Sequence, residues 1–173
     1  MMRSIRRFGG DQRGLAAIEF ALILPVLFLL YFGSVEIISA YNAQRRVSHI
    51  AAVIADITAQ GRTISTADLT DLFKVGEVMM DPFPASGLKQ RIASLQANGA
   101  GQVSTVWSAN SNYPNGPALT VPAGYLAANE SVIVAEVIYD YTSPLRLVIP
   151  GVVQFDRRSY FRPRVSAQVD KLP

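Results

Sequence analysis

One apolar run near the N-terminus constrains this chain more than any other feature. From Gly14 to Gln44 only two side chains carry a formal charge, Glu19 and Glu36. The most apolar part, residues 15–40, is long enough to span a membrane, because about 20 helical residues cross the hydrocarbon core of a bilayer. An ordinary soluble domain would not leave such a surface in water. We expect residues 15–40 to form a transmembrane helix.

The basic residues in front of this run predict its orientation. Residues 1–14 form a leader with four arginines and one aspartate, so the leader carries the whole formal net charge of +3. The rest of the chain has as many acidic as basic side chains, which gives no reason to expect a nucleic-acid surface. Because positive residues favour the cytoplasmic side, we expect a cytoplasmic N-terminus and an extracytoplasmic C-terminal domain.

A cleaved secretory signal peptide is the main alternative to a retained anchor. Its apolar region is usually only about 7–15 residues long and ends at a small-x-small cleavage site. Here the run is longer, and Ile38 stands two residues before Ala40, where a small residue would be needed. Both observations favour the anchor.

The residues at the start of the run suggest a different kind of processing. Residues 13–20 read RGLAAIEF, so a basic leader and Gly14 are followed by four apolar residues, Glu19 and Phe20. This pattern resembles the processing site of type IV prepilins, in which a membrane prepilin peptidase cuts after the glycine. The resemblance implies that Leu15 becomes the new N-terminus and Glu19 the fifth residue of the mature chain.

Glu19 is the most informative charge in the apolar run. A carboxylate inside a membrane costs at least about 2.5–3.5 kcal/mol and usually has a function. Leu15 and Glu19 are four residues apart on one helix face. After cleavage, the new ammonium group of one subunit could therefore meet the carboxylate of a neighbour. We expect Glu19, with Phe20 beside it, to act in assembly; the alternative is a glutamate that reaches the lipid headgroups.

Two later residues of the run predict features of the same helix. Pro25 removes one backbone hydrogen bond, so we expect a bend there. Glu36 follows Glu19 by about 25 Å of helix and should lie near the outer membrane interface. At that position it could be either solvated or paired.

A longer signature covers residues 13–36 and resembles the TadE-like family of Tad (Flp) pilus assembly proteins. Three further strings of this family recur at 106–108, 134–141 and 161–164. The resemblance implies a minor pilin-like (pseudopilin) subunit in the bacterial inner membrane. Its implied partners are the prepilin peptidase, other pilin-like subunits, the inner-membrane assembly platform and the lipid bilayer. The signature is carried by Gly14, Glu19, Pro25, Gly33 and Glu36.

The rest of the chain predicts an α+β fold with a pilin-like plan. Residues 41–60 continue the first helix as an amphipathic segment, with Val47, Ile50, Ala51, Ile54 and Ile57 at helical spacing. Residues 61–173 then form an extracytoplasmic domain with a small antiparallel sheet. In this domain we expect a helix at 66–80 capped by Ser65, with Leu69, Leu72, Phe73 and Val78 on one face, a long loop at 108–124, and strands at 88–95, 102–108, 131–141 and 154–165.

The inventory of reactive side chains argues against an enzyme or a cofactor site. The chain has no cysteine and a single histidine, His49, which we expect on an open helix face. Glu136 and Asp140 share a strand face, but four residues of strand put them about 13 Å apart. A glycosidase pair needs about 5–9.5 Å.

Other functions remain open at this stage. The basic residues of 157–164 could bind acidic partners or lipid headgroups, although a solvated strand face is the simpler interpretation. The main alternative function is a permanently anchored extracytoplasmic binding or adhesion protein. A further one is a secretion-system pseudopilin outside the Tad class.

Overall fold

The structure, a computed structural model, describes residues 13–113 and 117–172 and has an α+β layout. A long apolar helix precedes a small antiparallel sheet, which confirms the predicted fold class. The helices are α1 (Arg13–Gln60) and α2 (Thr66–Met79), with a short 3-10 turn at Ala85–Gly87. The strands are β1 (Thr63–Ile64), β2 (Leu88–Ala97), β3 (Val103–Ser111), β4 (Ser131–Thr142), β5 (Val152–Phe161) and β6 (Asp170–Lys171).

Four of the strands form one antiparallel sheet in the order β3-β2-β4-β5. The connection between β2 and β3 is a tight hairpin turn. In it, the side-chain oxygen of Asn98 accepts hydrogen bonds from the backbone of Ala100 and Gln102, both at 2.9 Å, and Gly101 takes a positive φ of 77°. β1 and β6 pair in parallel, which ties the C-terminal segment to the connection between the two helices.

The part of α1 from Gly33 to Gln60 packs across the sheet. Its buried residues recur every three or four positions, as expected for one face of an amphipathic helix. Ile57 was predicted on this face but is 47% exposed. Ile57 follows the buried Ile54 by three residues, which is less than one full helical turn, so its side chain falls outside the stripe. The buried stripe continues through Thr58 and Ala59 instead. The stripe contains Gly33, Glu36, Ala40, Ala43, Val47, Ile50, Ala51, Ile54, Ala55, Thr58 and Ala59.

α2 begins at the predicted cap. The Ser65 hydroxyl accepts a hydrogen bond from the Asp68 backbone at 3.1 Å, and the Asp68 carboxylate accepts one from the Ser65 backbone at 3.0 Å. Leu69, Leu72 and Phe73 are buried as predicted, but Val78 is 75% exposed. The prediction for Val78 was wrong. The buried face of α2 passes from Gly76 to Met80, one helical turn later, and Val78 lies between them on the other side of the helix.

Both faces of the sheet are covered. One face packs on α1 and α2 through alternate residues of β4. The other face packs against the segment after β3, which was predicted as a loop from residue 108. β3 extends to Ser111, and the irregular segment that follows contributes Leu119 and Leu126 to a second apolar core. That core also contains Ala93, Leu95, Ala97, Val132 and Val134.

A buried ion network fastens this covering segment to the sheet. The Glu136 side chain is 1% exposed and pairs with Arg91 at 2.6 Å and with Arg158 at 2.5 Å. Arg91 also donates to the carbonyl oxygen of Pro117 at 2.7 Å and lies 4.4 Å from the ring centre of Tyr113. Burial opposes the charge on Glu136, but hydrogen bonds from Tyr113, Arg158 and Arg91 outweigh it and lower the pKa of this carboxyl.

Glu136→Gln should therefore destabilise the domain at neutral pH and flatten its acid dependence. The substitution leaves Arg91 buried without a negative partner, a change that costs about 3–5 kcal/mol in free energy of unfolding. Because the pKa is lowered in the folded state, the stabilisation by Glu136 is present above the unfolded pKa, about 4.3, and is lost as the pH falls through the folded pKa. Melting temperatures measured from pH 7 to pH 3 would test both effects.

The matched control is Glu130→Gln, which removes a partly exposed ion pair with Arg162. A pair of this kind contributes at most about 1 kcal/mol. Equal losses of stability for the two variants at pH 7 would contradict a structural role for the buried network.

Candidate membrane and assembly segment

The N-terminal part of α1 is a bare apolar helix. Residues 15–32 are all exposed except Leu24, which is partly buried. A window in this helix reaches a mean hydropathy of 2.4 with no residue buried. At 1.5 Å per residue, these residues span about 27 Å, close to the roughly 30 Å of a hydrocarbon core. This segment, which we call the bare helix, has the length and composition to anchor the protein in a membrane.

The predicted processing and assembly residues lie at the start of the bare helix. Gly14 is the second residue of α1, and the leader before residue 13 lies outside the described residues. Leu15 and Phe20 are 57% and 60% exposed, and Glu19 is exposed as well. No ion pair within the described part of the chain includes Glu19. The arrangement leaves its carboxylate open to an external partner.

Pro25 lies inside the bare helix, and α1 runs without interruption from Arg13 to Gln60. The helix thus accommodates a residue that cannot donate a backbone hydrogen bond. The bend at Pro25 stays a prediction.

Glu36 is not solvated, contrary to one of the two expectations for it, and no ion pair among the described residues includes it. Its side chain is only 1% exposed, and one carboxylate oxygen accepts a 2.6 Å hydrogen bond from the backbone N–H of Val148. The Ser143 side chain and the backbone N–H groups of Arg146 and Ile149 also face this carboxylate. The connection between β4 and β5 therefore encloses Glu36 in a cradle of N–H groups, an arrangement that stabilises an anion without a cation.

The contact around Glu36 marks the end of the bare helix. Gly33 is the first buried residue of α1, and a Cβ atom at this position would lie 3.1 Å from a methyl group of Val148. A larger residue would push the connection away from the helix. The Gly33-x-x-Glu36 part of the signature thus joins the membrane segment to the domain. Sequence reasoning missed this role because the partner lies 112 residues away along the chain.

The other polar residues considered as sites have partners within the fold. Asp140 pairs with Lys89 at 2.6 Å, so it does not face Glu136 as a catalytic pair would. In the basic stretch, Arg158, Arg162 and Arg164 pair with Glu136, Glu130 and Asp56. The indole N–H of Trp107 donates to the carbonyl oxygen of Val169 at 2.7 Å, so this residue is a core anchor. His49 lies on an exposed helix face, as predicted.

Glu36→Ala should loosen the β4–β5 connection without unfolding the sheet. The Val148 N–H loses its acceptor, and a buried donor without a partner costs about 1–3 kcal/mol. We expect faster amide hydrogen exchange at residues 145–149, measured by mass spectrometry on the detergent-purified chain. Ile37→Ala, at the exposed neighbouring position, is the control and should leave exchange there unchanged. Unaltered exchange in Glu36→Ala would show that the carboxylate does not hold the connection.

Comparison with known proteins found a family similarity in this segment. No curated protein and no solved structure matched the chain. A family model described as TadE-like protein matches residues 14–56, most of α1. The three C-terminal strings lie outside the match, so that part of the resemblance stays a prediction. Residues 14–56 are thus similar to the TadE-like family, which confirms the resemblance of the signature from Gly14 to Glu36.

Proposed function

We propose that this protein is a membrane-anchored, pilin-like minor subunit (a pseudopilin) that acts in assembly of a Tad/Flp-type pilus. The observation that carries the proposal is the extent of the family match. It begins at Gly14 and covers the whole bare helix together with Glu36. The proposed role is structural rather than catalytic, and it requires no cofactor.

In the proposed pathway the chain is made as a precursor with its leader in the cytoplasm. A prepilin peptidase cuts after Gly14, and the bare helix holds the product in the bacterial inner membrane. The domain after residue 33 then lies on the extracytoplasmic side, as the arginines of the leader favour. The other proposed partners are the inner-membrane assembly platform and further pilin-like subunits.

The charge at Glu19 would determine the register in which neighbouring bare helices pack. Within one subunit this carboxylate has no described partner and lies on an apolar helix, where lipid solvates it poorly. Cleavage creates an ammonium group at Leu15, one helical turn before it. When two bare helices pack side by side, the carboxylate of one can neutralise the ammonium of the other. A helix in the correct register then gains an ion pair that a shifted helix does not.

Gly14→Val should block processing, because a branched side chain next to the scissile bond obstructs its approach to the peptidase. We expect the variant to stay in the membrane at full length, whereas the native protein begins at Leu15. N-terminal sequencing of membrane-extracted protein from cells with the cognate peptidase measures this directly. Gly10→Val, the same substitution inside the leader, serves as the control and should be processed. A native chain that still begins at Met1 or Met2 would favour the permanently anchored binding or adhesion protein.

Glu19→Gln should separate cutting from assembly. The amide keeps the size of the side chain but cannot pair with the ammonium group, so docking of subunits loses a few kcal/mol, of the order found for buried ion pairs. We expect the variant to be processed and folded, yet to lose most of its co-purification with pilin-like partners and most pilus formation.

Glu77→Gln is the control for this experiment. Glu77 lies in α2, outside the bare helix, and is only partly exposed. The control variant should assemble like the native protein. If Glu19→Gln also assembles normally, Glu19 does not pair with the ammonium group of a neighbour, whether or not the chain is processed.

A further inference from the structure

We infer that the connection between β4 and β5, residues 143–151, docks on the outer surface of the lipid bilayer beside the bare helix. We call this connection the tip loop. The inference rests on the proposed anchoring of the bare helix in a membrane. It adds a second membrane contact, made by the folded domain.

The tip loop lies at the level where the bare helix ends. Its Val148 bonds to Glu36 through the backbone and approaches Gly33 through a methyl group. Among the residues whose burial the structure describes, Gly33 is the first buried one of α1, and none of residues 15–32 is buried. If residues 15–32 fill the hydrocarbon core, this contact places the tip loop at the outer boundary of that core.

The composition of the tip loop suits a membrane interface. Leu145, Leu147 and Val148 are 43%, 53% and 53% exposed, in a segment whose one charged residue is Arg146. Arg146 is exposed, and within the described residues it forms no ion pair. Aliphatic side chains next to a basic one can enter the headgroup region while the guanidinium group binds a lipid phosphate.

Exposed apolar residues continue along α1 beyond the bare helix, at the level of the tip loop. Val35, Ile37, Ile38 and Tyr41 lie just beyond the bare helix and are 39%, 56%, 58% and 57% exposed. Tyrosine is common at membrane interfaces, where its ring lies at the headgroup level. This continuity with the membrane segment favours lipid as the occupant of the surface, since a protein partner would have to replace lipid around the same helix.

The opposite end of the sheet provides an internal reference. β4 runs from Ser131 to Thr142, and eleven steps of about 3.3 Å separate its ends by roughly 36 Å. The tip loop follows Thr142. Val103 lies at the other end of the sheet and is 41% exposed. It pairs with Ala97, and the residue before Ala97, Gln96, pairs with Ser131. An apolar residue of similar exposure is therefore available far from the proposed membrane contact.

Single-cysteine labelling of the full chain tests the inference, because the chain has no native cysteine. A small environment-sensitive fluorophore is attached to the cysteine of each of three variants, Leu147→Cys, Val103→Cys and Leu27→Cys. The proteins are reconstituted into phosphatidylethanolamine–phosphatidylglycerol vesicles that contain lipids with a nitroxide quencher, either at the headgroup or deep in the acyl chain. Fluorescence of Trp107, the single tryptophan, checks that each variant retains its fold.

We expect the headgroup quencher to reduce the fluorescence at 147 and to leave that at 103 unchanged, while the deep quencher acts at 27. The emission at 147 should also shift to shorter wavelength on transfer from detergent to vesicles. If position 27 is quenched but 147 behaves like 103, the tip loop does not touch lipid and the inference is wrong, although the anchoring stands. If position 27 is not quenched by the deep lipid, the anchoring itself fails.

A nitroxide placed on a second copy of the protein separates lipid from subunit contacts. Quenching at 147 by that copy, without quenching by the headgroup lipid, would assign the tip loop to a subunit interface and overturn the inference. Arg146→Glu in the Leu147→Cys chain should reduce quenching in these anionic vesicles, because it reverses the attraction to lipid phosphate. Unchanged quenching in that variant would contradict the role of Arg146.

Discussion

The burial of one stripe of α1 under the sheet is the contact on which the rest of the structure depends. It gives a single helix two environments, because one stripe from Gly33 onward is covered by the protein, whereas none of residues 15–32 is buried. The stripe contains five alanines, whose small side chains allow β4 and β5 to lie close to the helix: Ala40, Ala43, Ala51, Ala55 and Ala59. The same helix therefore serves as the core of a folded domain and as a segment with no partner inside the subunit.

The sequence predicts the parts of this design that depend on local pattern. The bare helix follows from its apolar length and α2 from the Ser65–Asp68 cap, because each feature is determined by residues close in the chain. Predictions were wrong where tertiary contacts decide. Val78 is apolar and at a plausible position, but it lies on the side of α2 away from the buried face, which passes from Gly76 to Met80.

The close approach of α2 to β2 shows why such contacts escape sequence reasoning. Gly76 is a weak helix former, and its sequence context offers no reason for a glycine. In the structure, a Cβ atom at Gly76 would overlap the buried amide of Gln90, which donates a 2.9 Å hydrogen bond to the carbonyl oxygen of Phe73. The glycine makes room for a polar group on another element, and only the assembled fold brings the two together.

Two buried glutamates illustrate two ways of holding a charge inside this protein. Glu136 is neutralised by two arginines, a solution that costs desolvation of three charged groups. Glu36 is held by backbone N–H groups, which carry no net charge and are already ordered by the tip loop. The second solution would suit the proposed position at a membrane boundary, because it brings no additional ion there.

Glu19 and Glu36 lie on the same helix, yet their environments are opposite, and the contrast bears on how such a subunit would assemble. The Glu36 carboxylate is enclosed by the subunit, and one of its oxygens accepts a hydrogen bond from the Val148 N–H. Glu19 has no described partner and lies among exposed apolar residues. A neighbouring subunit that binds through the bare helix could therefore pair with Glu19 without disturbing the contact at Glu36.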